Sequence, residues 1–190
     1  MADWMLADSS CQSHILDLTT PLFVAISETH QGIDAQVKKL CPWCTLQTET
    51  IDFSQDATQV PQLIDSAFSR NPSINEVTPE ADGPALYAAP AIKAKNSKVH
   101  LIGHDGATPN LAFVRSGEQA AGLVYPPPTY IAYLELDEML YAMSHVSPLP
   151  SGVFYDKLIT QQNIPASNAD LFPELAGFQT KFEADWIHGT

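Results

Sequence analysis

Two thiols three positions apart, Cys41 and Cys44 in the stretch KKLCPWCTLQ, carry the most direct chemical potential in this chain. A C-x-x-C pair is a redox catalyst when its first thiol sits at a helix N-terminus, where backbone N–H groups and the helix dipole stabilise the thiolate. Cys41 instead ends an amphipathic run, and the partial negative charge of a helix C-terminus disfavours the thiolate there. Pro42 and the strand-like run after it make a helix-to-strand loop, the reverse of the order in thioredoxin-like sites. Zinc is no better served, because the remaining cysteine, Cys11, and the 6 histidines show no paired ligand spacing. No metal and no cofactor is expected. Two structural readings stay open: a short loop closed by a Cys41–Cys44 disulfide, which implies an oxidising compartment, or two half-buried thiols.

The second chemical signal is GHDG, Gly103 to Gly106, directly after the apolar run VHLIG. His104 and Asp105 are therefore expected at the carboxyl edge of a sheet, where open α/β sheets bind ligands. A carboxylate there can accept two hydrogen bonds from adjacent hydroxyls, a common grip on a sugar. Spacing alone supports equally that Asp105 caps the helix beginning near Pro109 or shapes a Gly-rich turn. His104 is expected against a packed or solvated surface, and Asp82 in ADGPAL reads best as a helix N-cap. The acidic group Glu135, Asp137 and Glu138 reads as the wet face of a long helix. No G-x-G-x-x-G, phosphate loop or G-x-S-x-G elbow occurs, and no nucleophile, base and orienter assemble, so a non-enzymatic role is expected.

The elements that position these residues alternate short apolar runs with longer amphipathic ones, the pattern of a parallel sheet covered by helices on both faces. Candidate strands are residues 14–18, 45–51, 74–78, 99–103 and 121–125. Candidate helices are 23–40, 59–70, 83–95 and 109–117, with one more in ADWMLAD ahead of the first strand. In the helix over 23–40, Val24, Ile33, Val37 and Leu40 should meet the sheet. Pro126 to Pro128 stop the sheet and force an extended link. A long apolar helix over 129–145, a possible strand over 153–160 and an amphipathic end over 174–187 follow.

The chain has 190 residues, 45% of them hydrophobic, which supports one sizeable core with a short appendage. Its net charge of −13 repels phosphate backbones and anionic lipid, and no basic stripe offsets it, so nucleic acid is not an expected partner. No apolar run is long enough to cross a bilayer, and MADWMLADSSC lacks the regions of a signal peptide. From residues alone the chain is expected to be cytoplasmic, mature, or part of something longer, and Cys11 is not a convincing lipoprotein cysteine.

The stretch VHLIGHDGATPNLAFVRSGEQAAGLVYPPPTYIAYLELDEMLYA resembles the type I periplasmic sugar-binding proteins, the solute receptors of ABC transporters. In that family a strand ends in G-x-D-G, a helix ending I/V-x-x-G follows, and a further strand leads through a hinge into a long helix. The matching residues are Gly103, Asp105 and Gly106, then Val114 and Gly117, then Ala121 to Tyr125. Upstream, ADWMLADS and LCPWC are similar to an actinobacterial branch of these receptors. The resemblance spans roughly Ala2 to Pro165.

It implies a three-layer α/β lobe over residues 1–125 and a hinge crossover, long helix and tail over 126–190. It implies a ligand set of Asp105, Tyr125, His104 and Asp82, with Asp105 bonding sugar hydroxyls. Tyr125 stands where a ligand-contacting Gln often lies, and offers an aromatic platform instead. Thr29 replaces an Arg and Ala81 an Asn that often supply polar grip. The first lobe of the family is expected to lie outside this sequence, leaving the apolar side of Thr129 to Met143 without a partner in the chain. A homodimer or a second polypeptide should then cover it. Family membership implies a sugar-like solute, a permease partner and a periplasmic or extracellular location. Rival expectations are the effector lobe of a transcriptional regulator, a thiol oxidoreductase using Cys41 and Cys44, and a scaffold lobe that has lost its ligand.

Overall fold

The computed structural model describes residues 1–95, 98–144 and 156–188. Strand β1 (His14–Thr19) is flanked by β2 (Thr45–Thr50) and β3 (Glu76–Thr78), and β4 (His100–Asp105), β5 (Ala121–Val124) and β6 (Lys157–Thr160) extend a six-stranded sheet in the order β2-β1-β3-β4-β5-β6. The β1–β2, β1–β3 and β3–β4 pairs are parallel. Helix α1 (Ala2–Asp8) precedes β1, and the crossovers that parallel neighbours need are supplied by α2 (Val24–Leu40), α3 (Asp56–Arg70), α4 (Asp82–Lys95) and α5 (Thr108–Ser116). Strand β6 is the outer strand at the end opposite β2, and the part of residues 153–160 before Asp156 lies outside the described residues.

Side chains alternate across a strand, so β1 feeds two cores. Leu16 and Leu18 join Val77, Leu101, Val60, Ile64 and the alanines Ala85, Ala88 and Ala89 on the face covered by α3 and α4. Ile15 joins Ile102, Ile33, Val37, Met5 and Leu6 on the face covered by α1 and α2. Asp17 shares the parity of Ile15 and therefore faces α2. The register sets Asp17 beside Thr78, and Ile15 beside Glu76, which in turn pairs with His100.

The apolar face expected for α2 needs correction at its ends. Ile33 and Val37 are buried, but Val24 is 75% and Leu40 46% exposed. Val24 is the first residue of the helix and Leu40 the last, so the sheet is met only in its middle. Helix α5 ends as its sequence requires: Gly117 takes φ 80°, a left-handed conformation that costs glycine little, and the Glu118 N–H closes the turn on Phe113 O.

Two compact units result, Met1–Leu123 with Leu158–Ile164, and Val124–Lys157 with Pro165–Thr190. In the second, α6 (Pro128–Met143) packs against α7 (Phe178–His188). Tyr130 and Tyr133 meet Phe178 edge-on at 5.1 and 5.4 Å, and Tyr133 stacks on Trp186 at 5.3 Å. This corrects the expectation that α6 lacks an apolar partner within the chain: aromatic side chains of α7 supply one. Leu136, Met139, Leu140 and Met143 stay exposed. Among the described residues no helix is long and apolar enough to cross a membrane.

Candidate functional site

At the carboxyl edge of the sheet, β4 runs into the GHDG loop, and the loop is tied to the start of α4 by two carboxylates acting in opposite directions. Asp82, the first residue of α4, donates its N–H to Asp105 Oδ2 at 3.1 Å. Its own Oδ2 accepts the N–H groups of Gly106 at 2.8 Å and Ala107 at 2.6 Å. Asp82 is thus not the N-cap of its own helix, as its sequence position suggests; its carboxylate holds the loop, while Asp105 satisfies an orphan donor at the α4 N-terminus. Nor does Asp105 cap α5, whose N-cap is Ala107.

Beneath the loop lies a buried polar layer. Asn110 donates through Nδ2 to Asp82 O at 3.0 Å and to Gln119 Oε1 at 3.4 Å, and Gln119 Nε2 donates to Ala121 O at 3.0 Å. Gly103 makes room for it, because a Cβ there would fall 2.4 Å from Asp82 Oδ1 and 2.5 Å from Gln119 Nε2. Gly103→Ala should therefore destabilise the protein by about 1–3 kcal/mol, the usual cost of overpacking a filled interior, measured by urea unfolding. A change within experimental error would mean that the layer is not packed against this glycine.

The arrangement separates the expected ligand residues by depth. Asp105 is exposed and holds φ 118°, a conformation in which a side-chain-bearing residue is strained. Strain of this kind collects at functional sites, where surrounding bonds over-determine it. Asp82 and His104 are buried. Tyr125 follows β5 directly, belongs to the second unit and is 37% exposed. The Thr29 hydroxyl is occupied by its own helix, donating to Ala25 O at 2.9 Å, and Ala81 is buried.

The edge is acidic. Burial pushes Asp82 up to about 7, aided by the charge of Asp105 and opposed by the backbone N–H groups of Ala107, Gly106 and His104. Asp56 rises to about 6 by burial and the charge of Asp52, and its Oδ2 would lie 3.7 Å from a Cβ on Gly83 in α4. Sequence reasoning missed three further groups: Asp17 on β1, His30 on α2, and Glu80 just past β3. His30 Nδ1 lies 2.5 Å from Asp17 Oδ2 and 3.6 Å from Glu80 Oε1. Burial raises both carboxyls, and for Glu80 the neighbouring Asp17 charge raises it further. A carboxylate within the apolar run HILDL was the signal that could have found the cluster.

Cys41 and Cys44 are joined by an S–S bond and lie away from this edge, in the loop between α2 and β2. The loop is tied to Cys11, whose carbonyl accepts the Trp43 Nε1–H at 2.8 Å. A groove of about 550 Å³ runs where β4 begins, lined by Trp4, Asp8, Lys93, His100 and Gln161.

No protein-family model matches the chain, and no curated protein does. Solved structures do. A glucose-galactose binding protein from Geobacillus stearothermophilus matches with a TM-score of 0.75 at 15% identity, over 86% of this chain and 59% of its own. A myo-inositol binding protein from Caulobacter, bound to myo-inositol, gives 0.73 at 22% identity over 89% of this chain and 58% of its own. A carbohydrate transporter solute binding protein from Agrobacterium radiobacter, in complex with D-arabinose, gives 0.73 at 22% over 96% and 60%. The chain thus spans about 59% of the length of such neighbours. Its fold is mixed α/β, a mostly parallel six-stranded sheet flanked by helices, and matches these type I sugar-binding proteins.

Proposed function

We propose that this chain is a solute-binding lobe of the type I sugar-receptor class, which holds a neutral sugar or polyol at the carboxyl edge of its sheet without transforming it. The observation that carries the reading is Asp105: an exposed carboxylate, held at φ 118° and anchored through Oδ2 to the α4 N-terminus. A fixed carboxylate pre-oriented in this way accepts hydrogen bonds from neighbouring hydroxyls without the entropy cost of ordering a flexible side chain. The acidic edge and the net charge of −13 repel phosphorylated or acidic sugars, and a neutral polyol meets no such barrier. The ligands of the structural neighbours, myo-inositol and D-arabinose among them, fit that description. Asp82 supports Asp105 by donating its N–H to Oδ2, and His104 and Tyr125 are assigned as further ligand residues on the family resemblance. Cys41 and Cys44 have a structural role, and their disulfide suits a periplasmic or extracellular site of action.

The partners follow from this reading: the permease of an ABC transporter, and a second copy of the chain or a second lobe over the apolar face of Leu136, Met139, Leu140 and Met143. Static light scattering should then report a dimer for the isolated chain, or a complex with the second lobe where it is supplied; a clean monomer in both settings contradicts the assignment of that face. The test of solute binding is a thermal-shift screen against pentoses, hexoses, inositols and acidic sugars. Stabilisation by neutral compounds and none by acidic ones is expected. A response confined to acidic or aromatic compounds would overturn the ligand class.

A further inference from the structure

We propose that Asp17, His30 and Glu80 form a binding site for one divalent transition-metal ion of the zinc type. The inference is independent of the sugar reading. One donor atom from each residue lies within 4.8 Å of the others. An ion bonded at ~2.0–2.2 Å to tetrahedral ligands sets its donors roughly 3.4 Å apart, so only small adjustments are needed for this set to close on it. Imidazole nitrogen with two carboxylates is a donor set suited to zinc and its transition-metal neighbours, and poorer for calcium, which takes oxygen.

Two independent observations point to a cation here. Asp17 is 0% and Glu80 1% exposed, yet Asp17 Oδ1 and Glu80 Oε1 have no hydrogen-bond partner. Buried carboxylate oxygens ordinarily find donors, and two carboxylates that each keep an orphaned oxygen while meeting one imidazole, Asp17 through Oδ2 and Glu80 through the orphaned Oε1, call for a positive centre. Among the described residues, His30 is the sole ion-pair partner of either carboxylate, so no lysine or arginine fills that role. The surroundings also hold the ligands as metal sites require. Thr19 Oγ1 donates to Glu80 Oε2 at 2.8 Å, fixing the carboxylate from outside, and Glu80 is held at φ 56°. The His30 side chain is 29% exposed, which gives the ion a path in and leaves a coordination position for water.

A second triad, Asp8, Glu76 and His100, gathers at the opposite edge of the sheet. It is the weaker candidate and the useful control, because the side chains of Asp8 and His100 reach solvent, they bond each other directly, and a single oxygen, Glu76 Oε2, is orphaned.

The experiment is calorimetric titration of the metal-stripped full chain with zinc chloride near neutral pH, for the parent protein and for His30→Ala, Glu80→Gln and His100→Ala. One zinc ion should bind the parent chain. His30→Ala should weaken that event by about 100-fold or more, since losing even an outer-shell partner costs 10–100-fold, and His100→Ala should leave it intact. His30 is partly exposed, so its variant should fold, and zinc should raise the thermal midpoint of the parent protein but not of His30→Ala. No zinc binding to the parent chain, binding that survives His30→Ala, or binding lost in His100→Ala would overturn the proposal, the first by leaving a shared proton as the occupant.

Discussion

Asp105→Ala is expected to abolish the stabilisation proposed for a bound neutral polyol. A ligand at a hundred times its dissociation constant, bound only by the folded form, adds about 2.7 kcal/mol. For a chain of this length that is a rise of roughly 5–10 °C in the thermal midpoint. Removing the carboxylate deletes the proposed acceptor for sugar hydroxyls and also the acceptor for the Asp82 N–H. The two losses separate experimentally. The unliganded midpoint of Asp105→Ala reports the structural part, of the order of 1 kcal/mol for a helix-terminal acceptor. Relief of strain at φ 118° is not expected from alanine, whereas Asp105→Gly removes it and should restore part of the stability without restoring ligand response. An Asp105→Ala protein with an undiminished ligand shift would place the solute elsewhere.

The second large effect concerns pH. Glu76 is pushed up to about 9 by burial and the nearby Asp8 charge, Asp82 to about 7 and Asp56 to about 6, and Asp17 and Glu80 are raised as well. Each folded-state value lies above its unfolded one, so the native state holds protons that the unfolded state has released. The associated stability is fully present below the ordinary carboxylate range and is lost as pH rises through the folded values. The window therefore runs from about pH 4, the ordinary carboxylate range, to about pH 9, the highest folded value. The thermal midpoint of metal-free protein should fall by roughly 5 °C or more from the acidic to the alkaline end of it, with repulsion among the net negative charges acting in the same direction. Glu76→Gln should flatten the upper part of the profile. A midpoint that is constant or rises with pH would contradict the buried, proton-holding state of these carboxyls.

The sheet was legible because its strands are short apolar runs of Val, Ile and Leu bounded by Gly, Pro and polar turns, and the helices because their periodicity is strong. GHDG was legible as an edge loop since it follows its strand without a gap. What the loop does was not, because Asp82 and Asp105 lie on different elements and exchange bonds across the sheet edge, a pairing that periodicity does not encode. Gly103 likewise reads as a turn glycine, whereas its role is to admit Asp82 and Gln119. The Asp17, His30 and Glu80 cluster stayed invisible for the same reason, as its residues come from β1, α2 and the loop after β3. The ends of α2 were misassigned because a helical stripe marks which residues share a face, not how far the sheet beneath them extends. The partner of α6 was missed because the aromatic side of α7 reads as one more amphipathic tail.

The most direct measurement is a backbone amide NMR titration of the whole chain with myo-inositol and with D-arabinose. Binding at the carboxyl edge should give shifts centred on Asp82, Asp105, Gly106 and Ala107. Shifts centred instead on Trp4, Asp8 and His100, around the groove where β4 begins, would contradict it.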